Sequence, residues 1–201
     1  EGMVFGGAGT LEAPAQFLIC DWLLYYPFLD GDSTDAQDLT NTVTLPRYTD
    51  GVGTRAFIVA QGTGTGTGAY TLSYTNQDGV AGRTATGSTV TPTGSGFVLS
   101  CSSGTSSQRT DPFLHMQAGD TGIRSIEQFT WTSAPGGISA LVIVKPLAPL
   151  LYAEIGTVAE QVFWPRFPRV ESGAYLGVLR QQTGATPNGR TYTGILTTIR
   201  S

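Results

Sequence analysis

The chain has 201 residues, of which 13% are charged and 27 are glycine, and its formal net charge is −4. The charged share is about half the ~25% of an average globular protein. Because 40% of the residues are hydrophobic, the composition excludes an intrinsically disordered chain. An acidic chain with a single lysine has no overall attraction for nucleic acid, and no run of about 18 apolar residues predicts a membrane span.

The N-terminal residues differ from the rest of the chain. Residues 1–15 are rich in glycine and alanine and lack the basic start of a secretion signal, so we expect an extended N-terminal arm, either flexible or held by a partner. Residues 16–201 fit a single domain, since a chain of this size can bury roughly 70% of its unfolded surface. The apolar run 17–29, broken by Asp21, predicts a buried strand, because Pro27 disfavours a helix.

The next segment combines turn signals with one helix signal. Thr34 and Gln37 have the spacing of a capping box, which predicts a short helix near 34–40. Strands are expected over 42–45 and 55–60. The repeat GTGTGTG at 62–68 offers little apolar area to a core and predicts a flexible loop tip.

The middle of the chain predicts a hairpin over 69–91. Tyr70, Leu72 and Tyr74 alternate with small polar residues, as in a half-buried strand, and Asp78 and Gly79 supply the turn.

Later strands complete the pattern. They are predicted over 97–101, 123–131, 138–144 (ended by Pro146 and Pro149), 175–179 and 192–199, while 154–164 is either a strand or a bridging segment. Turn signals recur every 8–12 residues, roughly as in sandwich folds. The predicted fold is therefore all-β, an antiparallel β-sandwich of jelly-roll type with long Gly/Thr-rich loops and at most one or two short helices.

Candidate metal and redox residues are few. Cys20 and Cys101 lie in apolar runs and are expected to be buried and reduced; a disulfide would require their strands to be adjacent, which the sequence leaves open. The aspartates between Asp30 and Asp38 could bind a cation, but their spacing does not match an EF-hand loop, and a solvated loop is the expected alternative. We therefore predict no metal site and no cofactor.

Catalytic signatures are absent from the sequence. The single histidine, His115, has no G-x-S-x-G motif to accompany it. A glycosidase carboxylate pair stays open in principle, because its members need not be neighbours in sequence. The available glutamates are Glu127, Glu154, Glu160 and Glu171. None lies in a local signature, so we predict no catalytic residue and no enzyme.

Two short segments suggest subunit contacts. The segment WPRFPR at 164–169 combines aromatic and arginine side chains with prolines that prevent a regular helix or central strand. Aromatic and arginine residues are enriched at interface hot spots. A similar Pro/Arg turn begins at residue 46. The predicted interface residues are Arg47, Tyr48, Arg55, Trp164, Arg166, Phe167 and Arg169.

Several sequence blocks resemble a widespread group of virion structural proteins of tailed bacteriophages. The blocks are LLYYPFLDGDSTDAQDLTNTVTLPRYTDGVGTRAFIVAQ, YTLSYTNQDGVAGRTA, GDTGIRSIEQF, ALVIVKPLA and PRVESGAYLGVL, spread from about residue 17 to about residue 180. The resemblance implies a structural component of the phage particle and brings no catalytic residues with it.

The resemblance leads to the hypothesis of a capsid decoration, or cement, protein. Such a protein would bind the shell of the major capsid protein as a homo-oligomer, with a trimer favoured over a dimer, and would be assembled into the virion in the host cytoplasm. No nucleic-acid or membrane partner is expected. The alternatives are a tail, fibre or head–tail connector protein, a glycan- or receptor-binding module on the virion surface and, last, a glycan hydrolase.

Overall fold

The computed structural model describes residues 3–7, 15–39, 44–62, 64, 66–89, 95–96, 98–101, 112–152, 158–161, 168–182 and 192–196. Within these ranges the chain forms twelve strands and no helix, which confirms the all-β prediction. The strands are β1 (Met3–Gly7), β2 (Ala15–Asp30), β3 (Ala36–Asp38), β4 (Arg55–Ala60), β5 (Ala69–Asn76), β6 (Arg83–Thr89), β7 (Ser100–Cys101), β8 (Ile123–Trp131), β9 (Ile138–Tyr152), β10 (Val158–Gln161), β11 (Leu176–Gln182) and β12 (Tyr192–Leu196). None of the described stretches forms a helix long and apolar enough to cross a membrane.

The chain groups into two compact units. The larger unit is Trp22–Lys145, and the smaller combines Glu1–Asp21 with Pro146–Ser201. The strands β2 and β9 contribute residues to both units. The single domain expected over 16–201 stays a prediction.

The larger unit contains a five-stranded antiparallel sheet in the order β3-β8-β5-β6-β7. Its centre is the predicted hairpin, in which β5 pairs with β6 from Ala69↔Ser88 to Tyr74↔Arg83. Every second residue of β5 is buried, as the alternating sequence predicts. The hairpin turn is closed by Gly79, whose φ of 78° is one that glycine adopts without strain.

A second layer covers this sheet. In it β4 pairs with β9 from Arg55↔Val144 to Ala60↔Ser139, and residues 22–30 of β2 belong to the same sheet. Ile58 and Ile143 of this layer share one buried cluster with Leu72 and Phe129 of the five-stranded sheet. The Phe129 and Trp131 rings meet edge to face with centroids 4.7 Å apart. This arrangement is consistent with a β-sandwich.

The smaller unit is built on the N-terminal strand. β1 lies between β10 and β12 and pairs antiparallel with both. β11 pairs antiparallel with residues 15–21 of β2, from Leu176↔Asp21 to Gln182↔Ala15. Residues 3–7 of the expected arm are thus hydrogen-bonded on both sides to strands of the same chain.

The short helix predicted near 34–40 is wrong for the residues described there. Ala36–Asp38 form β3, which pairs with β8. The Gln37 side chain does not cap a helix but bonds the backbone of Asp30, accepting from its N–H at 2.8 Å and donating to its carbonyl at 2.9 Å. Partners provided by β8 and Asp30 outweigh the local helix signal, because isolated short helices are marginal.

The prediction that prolines end the ninth strand is also wrong. β9 continues through Pro146 and Pro149 to Tyr152. Its pairing with β4 ends at Val144. Beyond that point β4 requires no hydrogen bond from the backbone N–H of residue 146, and a strand tolerates proline where no such bond is needed.

The GTGTGTG repeat is not a free loop tip in its described part. The N–H of Gly66 donates to Pro135 O at 3.0 Å. The carbonyl of Gly68 accepts from the N–H of Thr89, and the N–H of Gly68 donates to the Thr89 hydroxyl. A Cβ atom on Gly68 would lie 2.9 Å from Trp131, so glycine here permits the close approach of the backbone to a core ring. Of the strand expected over 42–45, residues 42 and 43 lie outside the described residues.

Candidate assembly surface

The predicted interface residues Arg47 and Tyr48 lie in the loop before β4. The Nη2 atom of Arg47 donates to Trp22 O at 3.0 Å. Lys145 Nζ lies 5.3 Å from the Tyr48 ring centroid and donates to Val52 O at 2.7 Å, so the ammonium adds a cation–π contact. Burial lowers the pKa of Lys145. These half-buried side chains hold the loop in place.

Arg55 connects β4 to the turn before β8. Its Nη1 atom donates to Thr121 O at 3.1 Å and lies 3.5 Å from Met116 Sδ. Of the other predicted interface residues, Arg169 is exposed and pairs with Glu171 (Nε to Oε1, 3.1 Å). Residues 164, 166 and 167 lie outside the described residues. The interface role of all seven stays a prediction.

A carboxylate network centres on Asp120. Its oxygens accept hydrogen bonds from Tyr74 Oη at 2.5 Å, Asn76 Nδ2 at 2.8 Å and Arg83 Nε at 2.9 Å. Burial opposes its charge, but the bonds from Arg83, Tyr74 and Asn76 outweigh it and lower the pKa of Asp120 to about 2. Burial, and next the bond to Asp120, raises the pKa of Tyr74 to about 12.

The second carboxylate with several donors is Glu127. It accepts hydrogen bonds from the hydroxyls of Ser73 and Thr75 and from the N–H of Gly82. These donors belong to β5 and to the turn just before β6, so Glu127 ties β8 to the hairpin. Asp120 and Glu127 both have partners within the chain, as structural carboxylates do.

The carboxylates of the acidic segment 30–38 are not brought together in the structure. Asp30 Oδ1 accepts from the N–H of Asp32 at 2.9 Å, and Asp38 Oδ1 accepts from Gln128 Nε2 at 2.9 Å. In the described part of the chain, no three Asp, Glu, His or Cys side chains converge as metal ligands.

Cys20 is a free, buried thiol, so the disulfide left open by the sequence does not form at this residue. Burial raises the pKa of its thiol to about 12, which makes it a poor nucleophile at neutral pH.

An exposed aromatic group lies where β2 ends. The Phe28 side chain is 73% exposed, and its φ of 63° lies in the left-handed region that bulky residues rarely adopt. Its N–H donates to Gln61 Oε1 at 2.9 Å, and Gln61 Nε2 donates to Tyr25 Oη at 2.6 Å. Tyr25 is 49% exposed. One glutamine amide therefore orients both aromatic residues.

The backbone around this group is anchored to the sheet. Gln61 and Gly62 both donate from their N–H to Ile138 O, at 2.9 and 3.1 Å. Gly31 exchanges backbone hydrogen bonds with Gly136 and Gly137, and a Cβ atom on Gly31 would lie 2.6 Å from their oxygens. We call the set Tyr25, Phe28, Gln61 and Ile138 the Phe28 surface; Ile138 is also exposed.

The Phe28 surface has an acidic border. Asp30, Asp32, Asp35 and Asp38 follow it in the chain, and all four are exposed. The segments 22–39, 56–82 and 125–144 contain no lysine or arginine. The exposed aromatic residues are therefore followed in the chain by a run of exposed carboxylates.

Sequence reasoning did not single out the Phe28 surface. The apolar run 17–29 indicates a buried strand, and nothing in it reports a positive φ. The available signal is Pro27, which lies next to Phe28 in a run otherwise typical of a core strand.

Comparisons with known proteins give no relatives: no family model matches the chain, and neither a curated protein nor a solved structure matches it significantly.

Proposed function

We propose that the chain is a non-enzymatic structural protein of a tailed-phage particle, with decoration of the capsid shell as its role. The proposal rests on the resemblance of five sequence blocks to virion proteins and on one structural observation. That observation is the strained, solvent-exposed Phe28 held by Gln61.

Phe28 does not serve the core of its own chain. A bulky residue in a sparsely populated backbone region costs about 1–3 kcal/mol, and the exposed ring gains little from burial. Observed backbone strain of this kind clusters at binding sites. A partner that covers the ring would supply the missing apolar contact, since aromatic side chains dominate interface energetics.

The Gln61 amide makes this a prearranged surface. It fixes Phe28 through the backbone N–H and Tyr25 through the hydroxyl, so less conformational freedom is lost on binding. A surface of this size gives modest affinity for one copy. Repeated copies on a shell make modest single contacts effective through multivalency.

The acidic border selects for a partner with a basic rim. Asp30, Asp32, Asp35 and Asp38 carry like charge, and complementary charge increases the association rate more than the final affinity. The major capsid protein partner proposed for the Phe28 surface would therefore present an apolar pocket bordered by Arg or Lys.

The alternative from another class is a glycan-binding module. The exposed Tyr25 and Phe28 rings beside the Gln61 amide would also suit stacking on a sugar ring together with a hydrogen bond. Binding of the purified protein to a glycan array would favour this alternative, and a blank array would count against it.

The decisive experiment mixes purified protein with empty shells of the phage whose genome encodes the chain. The proposal expects saturable binding in hundreds of copies per shell. A dozen copies per virion, found by quantitative mass spectrometry, would instead place the chain in the tail or the connector. No association with particles at all would overturn the proposal.

A further inference from the structure

We propose that three cations around one turn of the larger unit bind carboxylate side chains of a partner protein. The turn precedes β4, and the residues concerned, which we call the Arg55 surface, are Val52, Arg55, Arg124 and Lys145. Arg55 is the first residue of β4, whereas Gln61 of the Phe28 surface follows the last, roughly 20 Å away along the strand. The inference therefore concerns a separate surface and does not depend on a capsid target.

The cations approach the turn closely because it contains two glycines. Gly51 and Gly53 both have a φ of 71°, a conformation that glycine adopts without strain. A Cβ atom on Gly53 would lie 2.5 Å from Lys145 Nζ, and a Cβ atom on Gly51 would lie 2.8 Å from Arg124 Cγ. The absence of side chains at these two positions leaves room for both cations.

Backbone carbonyls hold Lys145 and Arg124 against the turn. Lys145 Nζ donates to Val52 O at 2.7 Å, and Arg124 Nε donates to Asp50 O at 3.0 Å. Both side chains are half-buried. Their positions are therefore set before a partner arrives, and less side-chain freedom is lost on binding.

Arg55 reaches the same turn through a shared acceptor. Its Nη1 atom donates to Thr121 O at 3.1 Å, and the N–H of Gly53 donates to the same oxygen at 3.0 Å. Burial is the main cause that lowers the pKa of Lys145, and the Arg55 charge lowers it further. The two cations are therefore close enough for their charges to interact.

The chain does not balance the positive charge of the Arg55 surface. None of its three cations forms an ion pair with another described residue. Asp50 is the carboxylate whose charge opposes the lowering of the Lys145 pKa, and its Oδ1 atom accepts from the N–H of Val52. In the part of the chain that the structure describes, each cation donates from one nitrogen only. Further N–H donors of the two guanidinium groups are thus available to a ligand.

A carboxylate is the ligand that fits this surface. The planar guanidinium binds a carboxylate through two parallel hydrogen bonds, and the ammonium adds a point charge. Val52 is 48% exposed, so an acidic segment that also carries apolar side chains gains an apolar contact. Nucleic acid fits less well, because a chain with a net charge of −4 has no overall attraction for a long polyanion.

The single lysine of the chain allows a direct test. In protein labelled with ¹⁵N-lysine, the ammonium of Lys145 is the only side-chain ammonium that reports in a ¹H–¹⁵N spectrum. The probe is a capped peptide of alternating glutamate and valine, and the control peptide has glutamine in place of glutamate. The glutamate peptide should shift the signal saturably, and added salt should weaken its binding by screening the charges. No shift, an equal shift with the glutamine peptide, or tighter binding of duplex DNA would overturn the proposal.

Variants of the two arginines give a second test that does not use the lysine signal. The affinity for the glutamate peptide, measured by fluorescence anisotropy, should fall roughly fivefold for Arg55→Gln and for Arg124→Gln, with unchanged circular dichroism spectra. Arg55→Lys keeps the charge but not the planar fork, so it should lose less affinity than Arg55→Gln. The matched control is Arg169→Gln, which removes an exposed arginine outside the Arg55 surface and should bind like the wild type. Equal affinities of all these proteins would contradict the assignment.

Discussion

Arg83 and Asp120 form an ion pair in which Nε of the arginine lies 2.9 Å from Oδ2 of an aspartate side chain that is only 3% exposed. Arg83 begins β6, and Asp120 lies in the turn before β8. The pair therefore fastens the end of the hairpin to the neighbouring strand, together with the bonds from Tyr74 and Asn76.

Asp120→Asn should lower the free energy of unfolding by about 1–3 kcal/mol, because it removes the charge that three donors face. Urea denaturation followed by fluorescence measures the change. The matched control is Asp78→Asn, at an exposed position on the same hairpin, which should stay within ~0.5 kcal/mol of the wild type. Equal effects of the two substitutions would show that the network adds no stability.

The stability of the chain should also depend on Asp120 in acid. In the folded chain the pKa of Asp120 is lowered from an ordinary 3.8 to about 2. Its contribution to the free energy of unfolding is therefore complete above pH 3.8 and is lost as the pH falls to about 2. Urea midpoints measured from pH 6 to pH 2 should fall more steeply for the wild type than for Asp120→Asn. Parallel curves would contradict this assignment.

Gly122→Ala should be among the most damaging small substitutions. A Cβ atom there would lie 1.7 Å from Gly51 O, so the backbone must move. We expect a loss of roughly 3 kcal/mol, measured by thermal or urea unfolding. Gly62→Ala is the control, because no heavy atom lies within 4 Å of its Cβ position, and it should change stability by less than ~1 kcal/mol.

Phe28→Gly and Phe28→Ala separate backbone strain from the aromatic ring. Both remove the ring, but only glycine adopts a φ of 63° without strain. The glycine variant should therefore be more stable than the alanine variant by about 1 kcal/mol in urea unfolding, while both lose binding. If alanine is as stable as glycine, the backbone at residue 28 is not strained.

Local patterns were sufficient for the central hairpin. The alternation of Tyr70, Leu72 and Tyr74 and the Asp78-Gly79 turn lie within one hairpin, so its register needs no distant information. The helix expected near 34–40 failed for the opposite reason. Its residues pair with β8, almost a hundred positions later, and no local signal reports that pairing.

The candidate surface was harder to predict than the fold. The partners of Asp120 come from residues 74, 76 and 83, and Gln61 reaches back to Tyr25 and Phe28. Such contacts depend on how strands pack rather than on spacing along the chain. Arg47 and Arg55 are predicted as interface residues because arginine is enriched at interfaces. In the structure, both donate hydrogen bonds to backbone carbonyls of the same chain.

The most direct measurement compares wild-type protein and Phe28→Ala for binding to empty phage shells at matched concentrations. Val80→Ala, at an exposed apolar position outside the Phe28 surface, is the control. We expect saturable wild-type binding, an unchanged control and an affinity at least tenfold weaker for Phe28→Ala, since hot-spot aromatics contribute ~2 kcal/mol or more. Equal binding of all three proteins, or no wild-type binding, would contradict a role for the Phe28 surface in capsid assembly.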